Sequence, residues 1–281
     1  MLHLSVGLDI YIAFIAFVLG ACIGSFLNCM SWRIVHGMSV LKGRSVCDAC
    51  GHTLSAVDLV PIFSYLFHRG KCRYCGAKLS PAHLFAETLT GLVFLIFVFK
   101  YDISLELLEM LLFACILLAA SFADLEGYII PDRYVIAGIV LRIPFYFLLP
   151  DFKDNLIDSL IGGFAVGGGL LLLVLLYEKI RKIEAMGGGD IKLLFVTGLY
   201  LGWAKNILCL LLACLLGIIF ALVTQKIKQK NAKKSKKNKK KKTDADDASE
   251  KIFPWGPSIG AAAIIALLVG DKIIKAYLQL F

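Results

Sequence analysis

Residues 105–132, LELLEMLLFACILLAASFADLEGYIIPD, contain a long apolar run, 105–123, that is followed by Asp124. A helix needs about 20 mostly apolar residues to cross the hydrocarbon core of a bilayer. Such runs recur along the 281-residue chain, which is 59% hydrophobic and has a mean hydropathy of +0.79. They are too continuous for barrel strands, so the sequence predicts an all-α polytopic membrane protein with about eight transmembrane helices. The eight runs are 10–31, 83–99, 105–123, 134–149, 157–177, 191–204, 206–225 and 257–280.

The distribution of Lys and Arg predicts how these helices are oriented. If the amino terminus lies outside, the inside loops hold 24 of the 30 basic residues. Basic residues accumulate on the cytoplasmic side of membranes, so we expect these loops to be cytoplasmic. We expect the first run to remain as a helix and not to be a cleaved signal sequence, because no Lys or Arg precedes it. The loops are 32–82, 124–133, 178–192 and 226–256.

The net charge of +9 comes from one segment near the carboxyl end. Residues 226–242 contain 11 Lys and no acidic residue. A like-charge block of this kind is typical of a solvated loop, so we expect disorder across 226–252. Binding to anionic lipid headgroups is the functional alternative. No recognition fold surrounds the block, and we expect no specific nucleic-acid partner.

Four of the nine cysteines form two C-x-x-C pairs separated by 21 residues. This spacing is typical of a tetrahedral zinc site with four thiolate ligands. Two disulfides are the alternative, which the reducing cytoplasm disfavours. Four sulfurs leave no open position for water or substrate, so we expect a structural zinc ion. The nearby His52 and His68 are interpreted as surface residues, and the expected ligands are Cys47, Cys50, Cys72 and Cys75.

Two aspartates are the candidate catalytic residues. Asp124 ends the third run, and Asp190 opens the sixth, directly after three glycines. The predicted topology places both at cytoplasmic helix ends, and acids at membrane depth are functional candidates. Two carboxyls that share one proton form the catalytic pair of an aspartic peptidase. The structural alternatives are a membrane-exit residue for Asp124 and a helix cap for Asp190.

A proton- or cation-coupled transporter is the rival function, because paired intramembrane acids also bind ions. Both acids are expected at one membrane face instead of the midplane, which disfavours it. A non-catalytic subunit of a pilus or uptake machine is a third hypothesis.

Six motifs stand out in chain order: Gly24-Ser25-Phe26-Leu27-Asn28, the four cysteines with Val60–Leu66 and Arg69-Gly70-Lys71, Glu87, Asp124 with Ile130-Pro131-Asp132, Gly187–Leu194, and Phe253-Pro254-Trp255-Gly256-Pro257. Together they resemble the type IV prepilin peptidase family, whose members are membrane aspartic peptidases of the GxGD type. A proline usual in that family shortly after Arg33 is absent, and the lysine-rich insertion lies outside its pattern.

The resemblance implies an activity and a location. It implies cleavage of short basic leaders from type IV pilin or pseudopilin precursors, by Asp124 and Asp190, in a bacterial cytoplasmic membrane. Many members also methylate the new amino terminus with S-adenosylmethionine. No strand followed by G-x-G-x-x-G is present, so the cofactor-binding residues stay unknown. The expected domains are a first transmembrane helix at 1–33, a zinc-binding loop domain at 34–82 and a transmembrane peptidase domain at 83–281.

Overall fold

The structure, a computed structural model, describes residues 6–40, 43–150, 152–182, 186–235 and 253–279. Within these ranges it is built from helices, and the two β-bridges are isolated. The predicted all-α class is therefore confirmed. The helices are α1 (Val6–Val35), α2 (Phe63–Phe67), α3 (Pro81–Tyr101), α4 (Leu105–Gly127), α5 (Asp132–Leu148), α6 (Phe152–Gly163), α7 (Gly169–Arg181), α8 (Gly188–Ser235) and α9 (Gly256–Leu278), with a 3-10 turn at Val57–Leu59 and a π-helical segment at Phe164–Gly168.

All eight predicted runs overlap helices, but the expected count of eight spans is too high by length and composition. In the described residues, five helical stretches are long and apolar enough to cross a membrane. Runs six and seven fall within one of these stretches, while α5 has only 17 residues. The protein is thus a multi-pass helical membrane protein. The five stretches are Gly7–Val35, Pro81–Tyr101, Leu105–Gly127, Lys153–Arg181 and Gly188–Lys226.

The lysine-rich segment begins as helix. α8 continues through Ser235, and the disorder expected across 226–252 stays a prediction. Lysine is a good helix former, and the preceding apolar helix supplies the nucleus from which these residues continue. The remainder of the predicted loop, 236–252, lies outside the described residues.

The chain divides into two compact units, Met1–Glu126 with Ile136–Pro150, and Gly127–Val135 with Asp151–Phe281. The three-part division expected from the sequence stays a prediction. In the first unit, α1 packs on α3 through small residues, since a Cβ on Gly24 would stand 2.7 Å from the Thr90 hydroxyl. Small residues of this kind let membrane helices approach closely.

Polar groups also join helices in the first unit. Ser31 of α1 donates to the carbonyl of Ala119 in α4 at 2.9 Å. Arg142 of α5 is ion-paired with Glu109 of α4, and both side chains are buried. The Nδ2 atom of Asn28 lies 2.8 Å from Nδ1 of His83 on α3. These contacts link α1 to α3 and α4, and α4 to α5.

In the second unit, α8 is broken at Gly202, whose φ of 71° and ψ of 179° are not helical. The Trp203 amide, which follows the break, donates to Oδ1 of Asp158 on α6 at 3.3 Å. Asn206 is buried and donates to the carbonyl of Gly162 at 2.9 Å. α6 and the two parts of α8 are therefore held together by polar groups around the break. Runs six and seven correspond to these two parts.

The Phe253–Pro257 motif docks on α8 within the same unit. The Trp255 indole N–H donates to the carbonyl of Ala213 at 3.1 Å. A Cβ on Gly217 would lie 2.7 Å from the same indole nitrogen. The glycine therefore makes room for the tryptophan that precedes α9.

Candidate active site and metal centre

The four predicted cysteine ligands form one cluster. Their sulfur atoms all lie within 4.8 Å of one another. A tetrahedral zinc site with Zn–S bonds of about 2.3 Å places its sulfurs roughly 3.8 Å apart. Sγ of Cys47 and Sγ of Cys75 are 3.9 Å apart, which fits this geometry. Neither His52 nor His68 belongs to the cluster.

The two C-x-x-C pairs adopt the same local structure. Around the first, the Cys47 N–H donates to the His52 carbonyl at 2.9 Å, and the Gly51 N–H donates to the Cys47 carbonyl at 2.8 Å. The two bonds recur at the corresponding positions around Cys72, at 2.8 and 2.9 Å. Gly51 and Gly76 have φ values of 69° and 70°, a conformation that residues with a Cβ adopt only at a cost. The glycine after each pair is thus explained by its turn.

The thiols of the cluster differ in proton affinity. Backbone amides of Ala49 and Cys50 donate to the sulfur of Cys47 and lower its pKa to about 7. The Ala77 amide lowers the pKa of Cys75, but burial and the neighbouring sulfurs outweigh it and raise the pKa to about 11. One thiolate forms readily, and each further one is opposed by like charge. A divalent cation removes that opposition, so the donor set fits a metal ion.

Asp58 ties the turn Val57–Leu59 to the second cysteine pair. Its Oδ2 accepts from the Ser55 hydroxyl at 2.6 Å and from the Tyr74 hydroxyl at 3.1 Å. Arg73 lies 4.0 Å from Oδ1. The Ser55 hydroxyl and amide are the main causes that hold the pKa of Asp58 below its usual range. The loop between the cysteine pairs is therefore organised by a charged carboxylate. Asp58 carries no distinguishing signal in the sequence, because aspartates in polar loops are common.

Glu87 of α3 fixes the start of α2. Its buried side chain accepts from the backbone amide of Ile62 at 2.7 Å. Ile62 has a φ of 63° and a ψ of −53°, which is rare for a β-branched residue. Glu87 was matched to the family pattern without a role, and this contact supplies one.

Asp124 is in the last turn of α4, in the first unit. It is 5% exposed, although the two residues that follow it are exposed. The Asp124 side chain is therefore buried in the structure. A simple membrane-exit residue would be expected to face outward.

Asp190 is in the first turn of α8, in the second unit, and it is partly exposed. Its Oδ2 lies 3.2 Å from the position that a Cβ on Gly187 would take. A Cβ on Gly189 would stand 3.0 Å from Cβ of Ile130. The triple glycine thus gives the Asp190 carboxylate room on one side and lets residues 127–135 approach on the other.

A salt bridge also holds residues 127–135 against the start of α8. Nζ of Lys192 lies 2.7 Å from Oδ1 of Asp132, and both side chains are exposed. Both residues belong to the motifs that surround the candidate aspartates. Sequence spacing alone gave no signal that they would pair.

Two family profiles match the chain. The Bacterial Peptidase A24 N-terminal domain matches residues 18–101, and the type IV leader peptidase family matches residues 111–222. The first match includes the cysteine pairs and Glu87, and the second includes both aspartates. No solved structure gives a significant match to this chain.

Curated relatives match across much of the chain. A prepilin leader peptidase/N-methyltransferase of Bacillus subtilis (strain 168) is 30% identical over 269 residues, which cover 95% of this chain and 98% of that protein. One from Myxococcus xanthus (strain DK1622) is 33% identical over 209 residues, covering 74% of this chain and 61% of that protein. One from Pseudomonas putida is 27% identical over 294 residues, covering 96% and 95%.

The fold and the site together define a class of protein. It is a multi-pass helical membrane protein with a four-cysteine module and with acidic residues at the ends of two helices. The matches give the family. The chain belongs to the prepilin leader peptidase/N-methyltransferase family.

Proposed function

We propose that this protein removes the leader peptide from type IV pilin or pseudopilin precursors, using Asp124 and Asp190 as a catalytic pair. We further propose that it methylates the new amino terminus with S-adenosylmethionine. The reaction takes place at the cytoplasmic face of the bacterial cytoplasmic membrane, where the excess of basic loop residues is expected.

One observation carries the assignment of the pair. Ile130, only six positions after Asp124 in the sequence, lies against Gly189, the neighbour of Asp190. The Asp132–Lys192 salt bridge fastens the same segment to α8. Six residues of extended chain span at most about 20 Å, so the linker after Asp124 leads directly to the glycines before Asp190. This packing of the segment that follows Asp124 against the glycines beside Asp190 supports the proposal that the two aspartates act together.

The chemistry of such a pair is set by its shared proton. Two adjacent carboxyls cannot both ionise, so one is charged and the other protonated. The charged carboxylate takes a proton from water as the water oxygen attacks the scissile carbonyl carbon. The protonated carboxyl donates to the carbonyl oxygen. When the C–N bond breaks, the departing amine receives a proton from the pair.

The cysteine cluster has a different part in this proposal. We assign it a structural zinc ion bound by Cys47, Cys50, Cys72 and Cys75, because its donors and spacing fit four-coordinate zinc. The ion would hold the module together and take no part in peptide cleavage.

The decisive experiment incubates the purified protein, in lipid nanodiscs, with a pilin-like precursor and follows the products by mass spectrometry. Wild type should release the leader, while Asp124→Asn and Asp190→Asn should each slow cleavage by about 10³-fold or more, given the 10²–10⁴-fold worth of a general acid or base. Glu126→Gln is the matched control, since this exposed acid lies two residues from Asp124.

Each other outcome favours a named alternative. A normal cleavage rate in either Asn variant would refute the catalytic pair. Precursor that binds to wild type but is never shortened would indicate an assembly subunit. Coupled ion or substrate uptake into sealed vesicles, without cleavage, would indicate a transporter.

A further inference from the structure

The segment between the two cysteine pairs carries an apolar surface that the peptidase proposal does not use. Three large side chains of α2 have the i, i+3, i+4 spacing that places them on one face of a helix. They are Phe63, Leu66 and Phe67, which are 57%, 59% and 81% exposed. Val57 and Leu59, in the 3-10 turn just before α2, are also exposed. An exposed apolar patch of this kind marks an interaction surface.

The contact between α2 and Glu87 shows how deep this surface lies. α3 has 21 residues and is therefore about 31 Å long, which matches the thickness of a bilayer hydrocarbon core. Glu87 is six residues after the start of α3, so it lies about 9 Å along this span. Its carboxylate accepts from the amide of Ile62, the residue directly before α2, at 2.7 Å. α2 therefore begins level with the first turns of a membrane-spanning helix.

The packing of α1 on α3 gives the same depth. Leu59 lines a cavity whose other side is α1, including Ser25. The preceding residue of α1, Gly24, packs on α3, since a Cβ there would stand 2.8 Å from the carbonyl oxygen of Ala86. Ala86 is next to Glu87 in the sequence. The part of α1 that faces Leu59 is therefore level with Glu87.

The backbone of the segment is bonded as a bilayer requires. An N–H group in hydrocarbon has no water to bond, so it needs a partner within the protein. The amides of Val60, Ser64 and Leu66 donate to carbonyls of the same segment at 3.0–3.4 Å. Pro61 has no N–H group, and the Ile62 amide is bonded to the carboxylate on α3. These amides are thus satisfied without water.

Basic residues follow the apolar face in the sequence. Arg69 and Lys71 are exposed, and they lie two and four residues after Phe67. At a membrane surface, long cationic side chains keep their stems on apolar surface and extend their charges to the headgroups. Cations in this position are attracted by anionic lipids. An apolar helix followed directly by cations is the pattern of an element that lies in the membrane interface.

We propose that the face formed by Phe63, Leu66 and Phe67 inserts into the boundary between lipid headgroups and acyl chains, with Arg69 and Lys71 at the headgroup phosphates. Interfacial helices bury their apolar face about 5–10 Å into this boundary, which agrees with the depth of about 9 Å found at α3. The partner of the surface is the bilayer itself. The cysteine module is therefore anchored to the membrane and is not a free loop domain in water.

The test is photo-crosslinking of the full-length protein in nanodiscs of equal parts phosphatidylcholine and phosphatidylglycerol. Phe67→p-benzoylphenylalanine places a light-activated group on the proposed face. The same change at Phe14, exposed on the membrane span of α1, is the reference for lipid contact. The change at Ala49, exposed beside the charged Asp48 in the first cysteine pair, is the control for water contact. We expect lipid adducts at Phe67 at a yield close to that at Phe14 and several-fold above that at Ala49, measured by mass spectrometry.

A second measurement gives the depth of the face. Phe67→Trp adds a fluorophore, and its emission is taken as the difference from wild type in vesicles of brominated phosphatidylcholine. Bromines near the headgroup end of the acyl chain should quench this emission more than bromines near the chain end. The emission added by Ala49→Trp should be quenched by neither. Thermal melting of each variant establishes that the fold is retained.

Three results would overturn the proposal. Lipid adducts at Phe67 that are as rare as those at Ala49 would place the face in water. Adducts to a second copy of the chain, or to another part of the same chain, would assign the face to a protein contact. Stronger quenching by the deep bromines than by the shallow ones would contradict an interfacial position. None of these measurements involves cleavage or methylation, so their outcome is independent of the proposed function.

Discussion

The cysteine module and the amino-terminal end of α8 differ in the contacts that position their functional side chains. In the module, four thiols from one short stretch converge within 4.8 Å, and each backbone turn repeats the other. At α8, a single aspartate stands beside three glycines, and a distant segment packs against the residues next to it, Ile130 against Gly189 and Asp132 against Lys192. The module is locally encoded, whereas the aspartate depends on partners from elsewhere in the chain.

This difference predicts different responses to damage. Loss of one ligand should remove the metal and the fold of the module together, because metal binding and folding are coupled. Damage to one helix contact should instead lower stability by a limited amount, because many other contacts remain.

The largest expected effect is therefore in the cluster. Cys72→Ser should reduce zinc from about one ion per chain to near zero, since structural zinc supplies about 10–16 kcal/mol in zinc-finger peptides. Metal analysis of the purified protein and limited proteolysis between residues 43 and 79 would measure it.

Cys214→Ser is the control, because that cysteine is exposed on α8 outside the cluster. Helix content by circular dichroism should stay close to wild type. If Cys72→Ser kept its full zinc content, or if the whole helical bundle unfolded with the module, the module would not be a locally encoded unit held by its metal.

A smaller effect is expected at the break in α8. Gly202→Ala adds a Cβ to a residue whose φ is 71°, a conformation that favours glycine. The added Cβ would also clash with Oδ2 of Asp158, at 1.9 Å. Backbone strain of this kind costs about 1–3 kcal/mol, and the clash adds to it. Thermal melting in detergent should therefore shift downward while zinc content is unchanged.

Gly169→Ala provides the comparison, because a Cβ there would meet nothing within 4 Å. It should melt at the wild-type temperature or slightly above, since alanine is the better helix former. Equal melting of the two variants would show that the break is not held as described.

The smallest effect is expected at Asp58, which supports the module without binding the metal. Asp58→Asn should release zinc to a chelator several-fold faster at neutral pH, because charge-assisted bonds from Ser55 and Tyr74 become neutral ones. Asp154→Asn, at an exposed position in α6, should release zinc at the wild-type rate.

The pH dependence has a defined sign. The pKa of Asp58 is lowered in the folded protein, so its contribution is fully present above the unfolded value of about 3.9. That contribution is lost as the pH falls through the lower folded-state pKa. A wild type and Asp58→Asn that release zinc equally at pH 7 would show that this carboxylate does not support the module.

Local features of the chain were predictable. The two C-x-x-C pairs predicted a cluster because two residues separate the cysteines of each pair and each pair is followed by glycine. The apolar runs predicted helices because length and composition alone require them in a bilayer.

Long-range features were not predictable. The break in α8 was expected near residue 205 but occurs at Gly202, where Asp158 from another helix bonds Trp203. The bond from Ile62 to Glu87 joins residues 25 positions apart. Neither partner carries a local signal, since an acid in a helix has many possible neighbours. The pairing of Asp124 with Asp190, and the zinc ion itself, stay predictions for the experiments above.

The break at Gly202 also bears on whether this protein could carry ions. Transporters often interrupt a helix so that the positive end of its second half faces an anionic substrate. Here the amide of Trp203 at the restarted end already donates to the carboxylate of Asp158. The carboxylate of Asp158 therefore occupies the position at this helix end that an anionic substrate takes in such transporters.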